Sequence, residues 1–103
     1  ILDLSDFFRA TLAIDPAADI ALADEIALQR LYLDIEGARF PDRLRVALDI
    51  PDELRSARVP ALLLQPLVEN AIKHAVARSD APVTVRIGAG RGAGRTLRLW
   101  VEN

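Results

Sequence analysis

Apolar residues in this chain switch between two spacings, and the order of the switches limits the folds that the chain can adopt. Over residues 1–13, 20–37 and 60–78, apolar side chains recur every three or four positions, as they do in amphipathic helices. The remaining patterned segments alternate strictly between apolar and polar residues, which is typical of half-buried strands. The predicted order is helix, helix, strand, helix, strand, strand. It favours an α+β fold with the helices on one face of a sheet.

The three predicted strands cover residues 44–50, 83–87 and 97–101. A glycine-rich run, residues 88–94, separates the last two. Glycine loops that hold phosphate lead from a strand into a helix, whereas here a second strand follows. We therefore interpret the run as a flexible hairpin loop, in keeping with the turn preferences of glycine.

The starts of the second and third helices depend on single residues. Asp19 and Asp24 are both candidates for the N-cap of the second helix, because an aspartate side chain can accept a hydrogen bond from the first turn. Pro60 suits the first turn of the third helix. Pro66 lies inside the same pattern and removes one hydrogen bond, so we expect the helix either to kink or to begin there.

Composition excludes several classes of protein. The 103 residues are enough for one domain, and with 51% hydrophobic and 27% charged residues the chain is expected to fold. A net charge of −2 with scattered arginines does not suggest nucleic acid or an anionic membrane as a partner. The absence of cysteine excludes disulfides and thiolate zinc sites, and no apolar stretch is long enough to cross a bilayer. We expect a soluble, cytoplasmic domain.

Residues 68–74 concentrate the least common polar side chains of the chain. They contain its only lysine, Lys73, its only histidine, His74, and one of its two asparagines, Asn70. Every other cationic side chain is arginine, so a need for positive charge alone does not explain Lys73. A lysine ammonium can reach a phosphate, and an asparagine oxygen can bind a hard cation such as Mg²⁺. These residue types make the segment a candidate site.

Helical geometry divides the third helix into two faces. At about 100° per residue, one arc is polar and is expected to face solvent or a ligand; it holds Gln65, Glu69, Asn70, Lys73 and His74. The opposite arc is apolar and is expected to pack on the sheet; it holds Leu64, Leu67, Val68, Ala71, Ile72, Ala75 and Val76. Glu69 with Lys73, and Asn70 with His74, are spaced i, i+4, so each pair can interact. From spacing alone, a solvated polar face without a ligand is the simpler interpretation.

A longer motif changes that interpretation. Residues 60–75 read Pro-Ala-Leu-Leu-Leu-Gln-Pro-Leu-Val-Glu-Asn-Ala-Ile-Lys-His-Ala and resemble the N box of bacterial sensor histidine kinases of the LytS-like branch. Segments upstream follow the pattern of that branch in the same order: residues 4–9, 25–26, 32–36 and 39–44. The resemblance covers nearly the whole chain, and several ordered motifs are more specific than one short box.

The resemblance implies part of the two-layer α/β sandwich of the histidine kinase/Hsp90-like ATPase fold. Residues 1–40 would form the end of the dimerisation-type helices and a linker helix. Residues 41–103 would form the N-terminal part of the ATP-binding domain, truncated at the first glycine box. The acceptor histidine, the later glycine boxes and the lid over ATP are not among these residues. We therefore interpret the chain as a fragment that would not phosphorylate itself and would bind nucleotide weakly or not at all.

The resemblance also implies roles for the polar residues of the N box, which lies beside the ATP phosphates in such kinases. Asn70 would bind the Mg²⁺ ion that bridges the phosphates, and Lys73 and His74 would contact phosphate oxygens. Glu69 would orient the water shell of the metal or the attacking group. His74 is part of this box and is not the phosphoacceptor.

The last residues of the chain, 101–103, resemble the start of the first glycine box. Asn103 stands where an acidic residue of the family usually recognises the adenine amino group. An amide can donate as well as accept a hydrogen bond, so adenine recognition by Asn103 is open, with Glu102 as the alternative.

The implied function is that of a two-component sensor histidine kinase, which phosphorylates its own histidine with Mg²⁺-ATP and passes the phosphoryl group to an aspartate of a response regulator. The parent protein is expected to be a homodimer that segments upstream anchor in the inner membrane. One alternative is a non-catalytic ATPase-like scaffold, in which residues 1–40 serve dimerisation or regulator docking. Another ATPase of the same superfamily is disfavoured, because it would place a catalytic glutamate where Pro66 stands.

Overall fold

Helices and strands alternate along the part of the chain that the computed structural model describes, residues 3–103. In chain order the elements are α1 (Leu4–Leu12), β1 (Asp19–Ala21), α2 (Leu22–Gly37), β2 (Leu44–Asp49), a 3₁₀ turn (Asp52–Leu54), β3 (Arg58–Pro60), α3 (Gln65–Ala71) with a π-helical turn (Ile72–Val76), β4 (Val83–Arg91) and β5 (Leu97–Glu102). Each predicted helix and strand has its counterpart, and the α+β class is confirmed. Residues 1 and 2 of the first predicted helix lie outside the described residues. Between residues 3 and 103, no helix is both long and apolar enough to span a bilayer.

The main sheet has the strand order β2-β4-β5, with β2 parallel and β5 antiparallel to β4. Because parallel neighbours need a crossover, the chain passes from β2 to β4 through α3, which packs on one face of the sheet. The buried side chains of α3 and β4 form one core, which includes Val68, Ile72, Val76, Val85 and Ile87. Phe7 of α1 and Tyr32 of α2 belong to the same core, with ring centroids 5.5 Å apart. α3 therefore lies on one face of the sheet, as predicted, and α1 packs against α2 in the same core.

A second, two-stranded sheet pairs β1 with β3 in antiparallel orientation. The sequence pattern does not predict it, because strands of three residues are too short to show a clear alternation. Pro60 ends β3, opposite Asp19, and does not open a helix. α3 begins instead at Gln65, with Pro66 in its first turn, which confirms one of the two effects expected of that proline.

The start of α2 uses backbone groups instead of a side-chain cap. Its N-cap residue is Ala21, which makes no side-chain hydrogen bond. The first two N–H groups of the helix donate to carbonyls of the loop before β3, at 2.7 and 2.9 Å. Asp19 lies in β1 and Asp24 lies inside the helix, so both cap predictions are wrong. The physical reason is that a neighbouring loop satisfies the donors that a capping side chain would otherwise satisfy.

β4 is longer than predicted because it continues into the glycine-rich run. Gly88 pairs with Trp100 and Gly90 with Arg98 of β5. A Cβ atom at Gly88 would collide with the indole ring of Trp100, so this glycine allows the ring to lie against the sheet. The hairpin-loop prediction is therefore wrong for residues 88–91 and holds for the turn that follows.

Candidate functional site

The cluster of polar residues lies on α3, whose two ends are both irregular. The chain enters the helix through a turn in which Leu62 has a positive φ of 63°. The helix leaves through the π-helical turn, where the N–H of Ala77 donates to the carbonyl of Ile72 at 2.9 Å. Such a turn widens the helix and redirects its side chains, and π-turns are frequent at functional sites. Lys73 and His74 lie in this turn, which the sequence pattern does not predict.

Exposure confirms part of the predicted polar face and corrects the rest. Glu69 is half-buried, and the exposed members are Asn70, Lys73 and His74. Gln65, expected on the same exposed arc, is only 9% exposed, whereas Leu67, expected to pack on the sheet, is 49% exposed. The prediction is therefore wrong for these two residues. Helical spacing shows which residues share a side of the helix, but the neighbouring elements decide which side is covered.

One cleft, the β5 cleft, lies between α3 and the end of β5. It has a volume of about 190 Å³ and is lined by Leu67, Asn70, Ala71, His74, Val101 and Asn103. Asn70 and Asn103 belong to two motifs that are far apart in the sequence, so the fold brings together residues that were predicted separately. The polar part of the lining consists of neutral amides and one imidazole, and its apolar part consists of Leu67, Ala71 and Val101.

Glu102, the alternative to Asn103 for adenine recognition, does not line the β5 cleft. Its carboxylate lies 3.5 Å from the guanidinium of Arg86 on the neighbouring strand, and both side chains are largely exposed. Side chains of neighbouring residues in an extended chain point to opposite faces of the sheet, so those of Glu102 and Asn103 cannot both point into the β5 cleft. The geometry favours Asn103.

A second cleft, the α2 cleft, lies between α3 and α2. It has a volume of about 320 Å³ and is lined by Tyr32, Glu36, Arg39, Phe40, Glu69, Ile72, Lys73 and Ala77. The predicted site residues are thus divided, because Glu69 and Lys73 line this cleft while Asn70 and His74 line the β5 cleft. The ion pairs within residues 3–103 do not include Glu69 with Lys73, so the expected i, i+4 salt bridge is not formed.

An ion pair between a buried carboxylate and an exposed guanidinium orients charge in the α2 cleft. Only 2% of the Glu36 side chain is exposed, and its carboxylate accepts two hydrogen bonds from the Arg39 guanidinium, at 3.1 and 3.2 Å. The same guanidinium lies 5.4 Å from the centre of the Phe40 ring, within the range of a cation–π contact. These contacts hold the positive charge of Arg39 in the lining of the cleft.

The hydroxyl of Tyr32 is the neutral polar group of this cleft. Burial, followed by the nearby carboxylates of Glu36 and Glu69, raises the pKa of Tyr32 to about 12, and the Arg39 guanidinium partly opposes that shift. The hydroxyl therefore keeps its proton at physiological pH and can donate a hydrogen bond. Tyr32, Glu36 and Arg39 had no predicted site role, although all three lie in the motifs that carry the resemblance.

Binding of a metal ion on α3 would require further oxygen atoms from a bound phosphate compound or from water. Residues 3–103 contain no group of three histidine, cysteine, aspartate or glutamate side chains that could hold an ion by themselves. Mg²⁺ does not require such a group, because waters and phosphate oxygens commonly complete its six ligands around one or two protein oxygens. Asn70 offers one neutral oxygen, and Lys73 offers a cation for phosphate. These residues fit a Mg²⁺ ion that arrives with a phosphate compound.

The similarity of this chain to known proteins extends over its helices, its sheets and the residues that line both clefts. The family model for histidine kinases matches residues 1–44. The sensor histidine kinase BtsS of Escherichia coli (strain K12) is 46% identical over 100 residues, which make up 97% of this chain and 18% of that protein. The sensor histidine kinase/phosphatase LytS of Staphylococcus aureus (strain MRSA252) is 45% identical over 103 residues, 100% of this chain and 18% of that protein. The chain therefore spans 18% of the length of these curated relatives.

Proposed function

Because this chain belongs to the sensor histidine kinases, we propose that α3 forms part of the site at which such a kinase binds Mg²⁺-ATP. The kinase that contains this segment phosphorylates one of its own histidines and passes the phosphoryl group to an aspartate of a response regulator. The identity of 45% and 46% to two sensor histidine kinases supports this proposal. The expected cytoplasmic location and the second copy of the kinase in a homodimer are parts of the same proposal.

The observation that carries the proposal is that Asn70 and His74 share the β5 cleft with Asn103. In the proposed complex, Asn70 binds Mg²⁺, His74 binds a phosphate oxygen and Asn103 contacts the base. The ion, when bound, neutralises part of the phosphate charge. The cleft of about 190 Å³ is smaller than the roughly 300 Å³ at which ligand pockets usually begin. This chain would therefore supply one wall of the nucleotide site.

Glu69 and Lys73 act from the α2 cleft in this proposal. Lys73 is exposed, and its flexible side chain can reach a phosphate oxygen at the edge of the helix. A cation in that position stabilises the charge that develops during phosphoryl transfer. Glu69 is half-buried and orients the water shell of the metal or the attacking imidazole.

A hybrid kinase tests the proposal. In it, residues 1–103 replace the matching segment of E. coli BtsS, and the hybrid is expected to bind Mg²⁺-ATP and to autophosphorylate. Asn70→Ala should weaken Mg²⁺-ATP binding by about tenfold or more, which corresponds to about 1.4 kcal/mol. Isothermal titration calorimetry measures the affinity, and radiolabelled ATP measures autophosphorylation.

Arg78→Ala is the matched control, because it removes an exposed cation that follows α3 and lines neither cleft. It should leave Mg²⁺-ATP binding unchanged. Equal binding by the Asn70→Ala and wild-type hybrids would contradict the assignment of Asn70. A hybrid that folds and dimerises but binds no nucleotide would favour the alternative, a non-catalytic scaffold.

A further inference from the structure

Glu25 of α2 is a buried carboxylate that the proposed nucleotide site does not use. Its exposed fraction is 0%. Its Oε1 accepts a hydrogen bond from the N–H of Leu62 at 2.8 Å, and its Oε2 accepts one from the N–H of Leu64 at 2.9 Å. Oε2 also accepts a longer bond, 3.3 Å, from the side-chain amide of Gln29. Two of the three bonds therefore go to the backbone immediately before α3.

The turn before α3 depends on a hydrogen-bond acceptor such as the Glu25 carboxylate. Leu62 has a φ of 63°, in the left-handed region that leucine rarely adopts. Leu64 is the N-cap residue of α3 and makes no side-chain capping bond. Strained backbone persists only where surrounding contacts determine it. Glu25 provides those contacts, although it lies 37 residues before Leu62 and 39 residues before Leu64 in the sequence.

The same two bonds connect α2 to α3. Among the side-chain hydrogen bonds of residues 3–103, the two that Glu25 accepts are the ones that join α2 to the segment leading into α3. Other buried polar groups make no such connection, since Oε1 of Gln29 and both side-chain amide atoms of Gln65 have no hydrogen-bond partner. Beside the apolar packing of the shared core, Glu25 therefore gives α2 a direct polar connection to the backbone that enters α3.

We propose that Glu25 is a positioning residue that holds the start of α3, and with it Asn70, in place relative to α2. Its effect on nucleotide binding rests on the proposed function. α2 lies within residues 1–44, which the family model matches, whereas α3 lies beyond them, so Glu25 joins these two parts of the chain. A displacement of α2 would pull on the backbone before α3 and move Asn70 within the β5 cleft.

Amide hydrogen exchange of the 103-residue chain, followed by NMR, tests this connection without nucleotide. Glu25→Gln keeps the size of the side chain but replaces one accepting oxygen by an NH₂ group, which cannot accept a bond from an N–H. At least one of the amides of Leu62 and Leu64 should exchange about tenfold faster, because the one oxygen that glutamine keeps cannot replace both carboxylate oxygens. Unchanged exchange at both amides in a folded variant overturns the proposal.

Two control variants separate this effect from general destabilisation. Asp34→Asn removes a carboxylate from the exposed side of α2, and Ile26→Val trims a buried neighbour of Glu25. Both should leave exchange at Leu62 and Leu64 unchanged, and equal acceleration by either control overturns the proposal. Glu25→Asp withdraws the carboxylate by one methylene and is the second variant if Glu25→Gln does not fold. It should accelerate exchange at the same two amides to a smaller extent, and no acceleration there also overturns the proposal.

The hybrid kinase tests the consequence for the nucleotide site. Glu25→Gln should raise the dissociation constant of Mg²⁺-ATP about fivefold, in the usual range of coupling between sites, while Ile26→Val should not change it. If Asn70→Ala weakens binding and Glu25→Gln does not, the positioning role is overturned. If the exchange effect is present but neither substitution changes nucleotide binding, the proposed function fails while the connection between α2 and α3 stands.

Discussion

The two clefts border the same helix but differ in their charge. The β5 cleft is lined by neutral amides, one imidazole and apolar side chains. The α2 cleft is lined by a tyrosine hydroxyl and four charged side chains, Glu36, Arg39, Glu69 and Lys73. In the β5 cleft the polar groups are open to a ligand, whereas in the α2 cleft a buried carboxylate and a guanidinium already satisfy each other. α3 therefore combines one side with neutral polar groups and one side with charged groups.

This difference predicts that stability and ligand binding respond separately to substitution. An exposed amide can be removed at little cost, because water replaces its partners in the unbound protein. Removal of the buried Glu36 carboxylate deletes its two hydrogen bonds to Arg39 and leaves a cavity, and both effects lower stability. Removal of the buried Glu36 from the α2 cleft should therefore lower the free energy of unfolding, whereas removal of the exposed Asn70 from the β5 cleft should not.

The largest effect on stability is expected for Glu36→Ala. It removes two hydrogen bonds to Arg39 and a side chain that is 2% exposed, so the free energy of unfolding should fall by about 2 kcal/mol. Urea denaturation of the chain measures the change. Asp34→Ala is the control, since it removes an exposed carboxylate that pairs with Arg30 at 3.0 Å and should cost about 0.5 kcal/mol or less. Equal losses would mean that the burial of Glu36 adds nothing to the stability of its ion pair with Arg39.

An intermediate effect is expected in the titration of Tyr32, which is the only tyrosine of the chain. Its absorbance at alkaline pH should report a pKa of about 12 in the folded chain, against about 10 in the unfolded chain. Because the folded state favours the protonated hydroxyl, the stability that this group contributes is fully present below about pH 10. That contribution should be lost as the pH rises through about 12.

The same titration can compare the two clefts. Glu69→Gln should lower the pKa of Tyr32, because it removes a carboxylate of the α2 cleft that raises this pKa. Asn70→Asp adds a carboxylate in the β5 cleft, and we expect it to change the pKa of Tyr32 less. An equal change would show that the helix does not separate the two clefts electrostatically.

The smallest effect on stability is expected for Asn70→Ala. Asn70 is exposed and lines the β5 cleft, so its loss should change the free energy of unfolding by about 0.5 kcal/mol or less. The same urea titration measures it. A loss as large as that of Glu36→Ala would mean that Asn70 has a structural role and would remove the distinction between the clefts.

Part of the site could be predicted because its signal is local. Asn70, Lys73 and His74 lie in one short segment with a distinctive composition, and helical spacing correctly predicts that they are exposed. Gln65 and Leu67 could not be placed in the same way. Their polarity contradicts their burial, and burial is set by elements that pack against the helix from elsewhere in the chain.

Glu25 shows a different limit of sequence reasoning. Its partners are backbone N–H groups of Leu62 and Leu64, and backbone groups are the same at almost every position of a sequence. No side-chain pattern can therefore indicate which N–H a distant carboxylate will meet. The length of β4 has a similar cause, because Gly88 stays in the strand to accommodate the ring of Trp100 on its neighbour.

By itself, the sequence determined the order of the main helices and strands, their α+β class and the residue types of the candidate site. These are properties of local spacing and composition, and each can be read within one segment of the chain. Only the tertiary structure decided that Asn70 and His74 face Asn103 while Glu69 and Lys73 face α2, and that Glu25 holds the start of α3. The physical reason is that burial, cleft formation and buried hydrogen bonds depend on contacts between residues that the sequence keeps far apart.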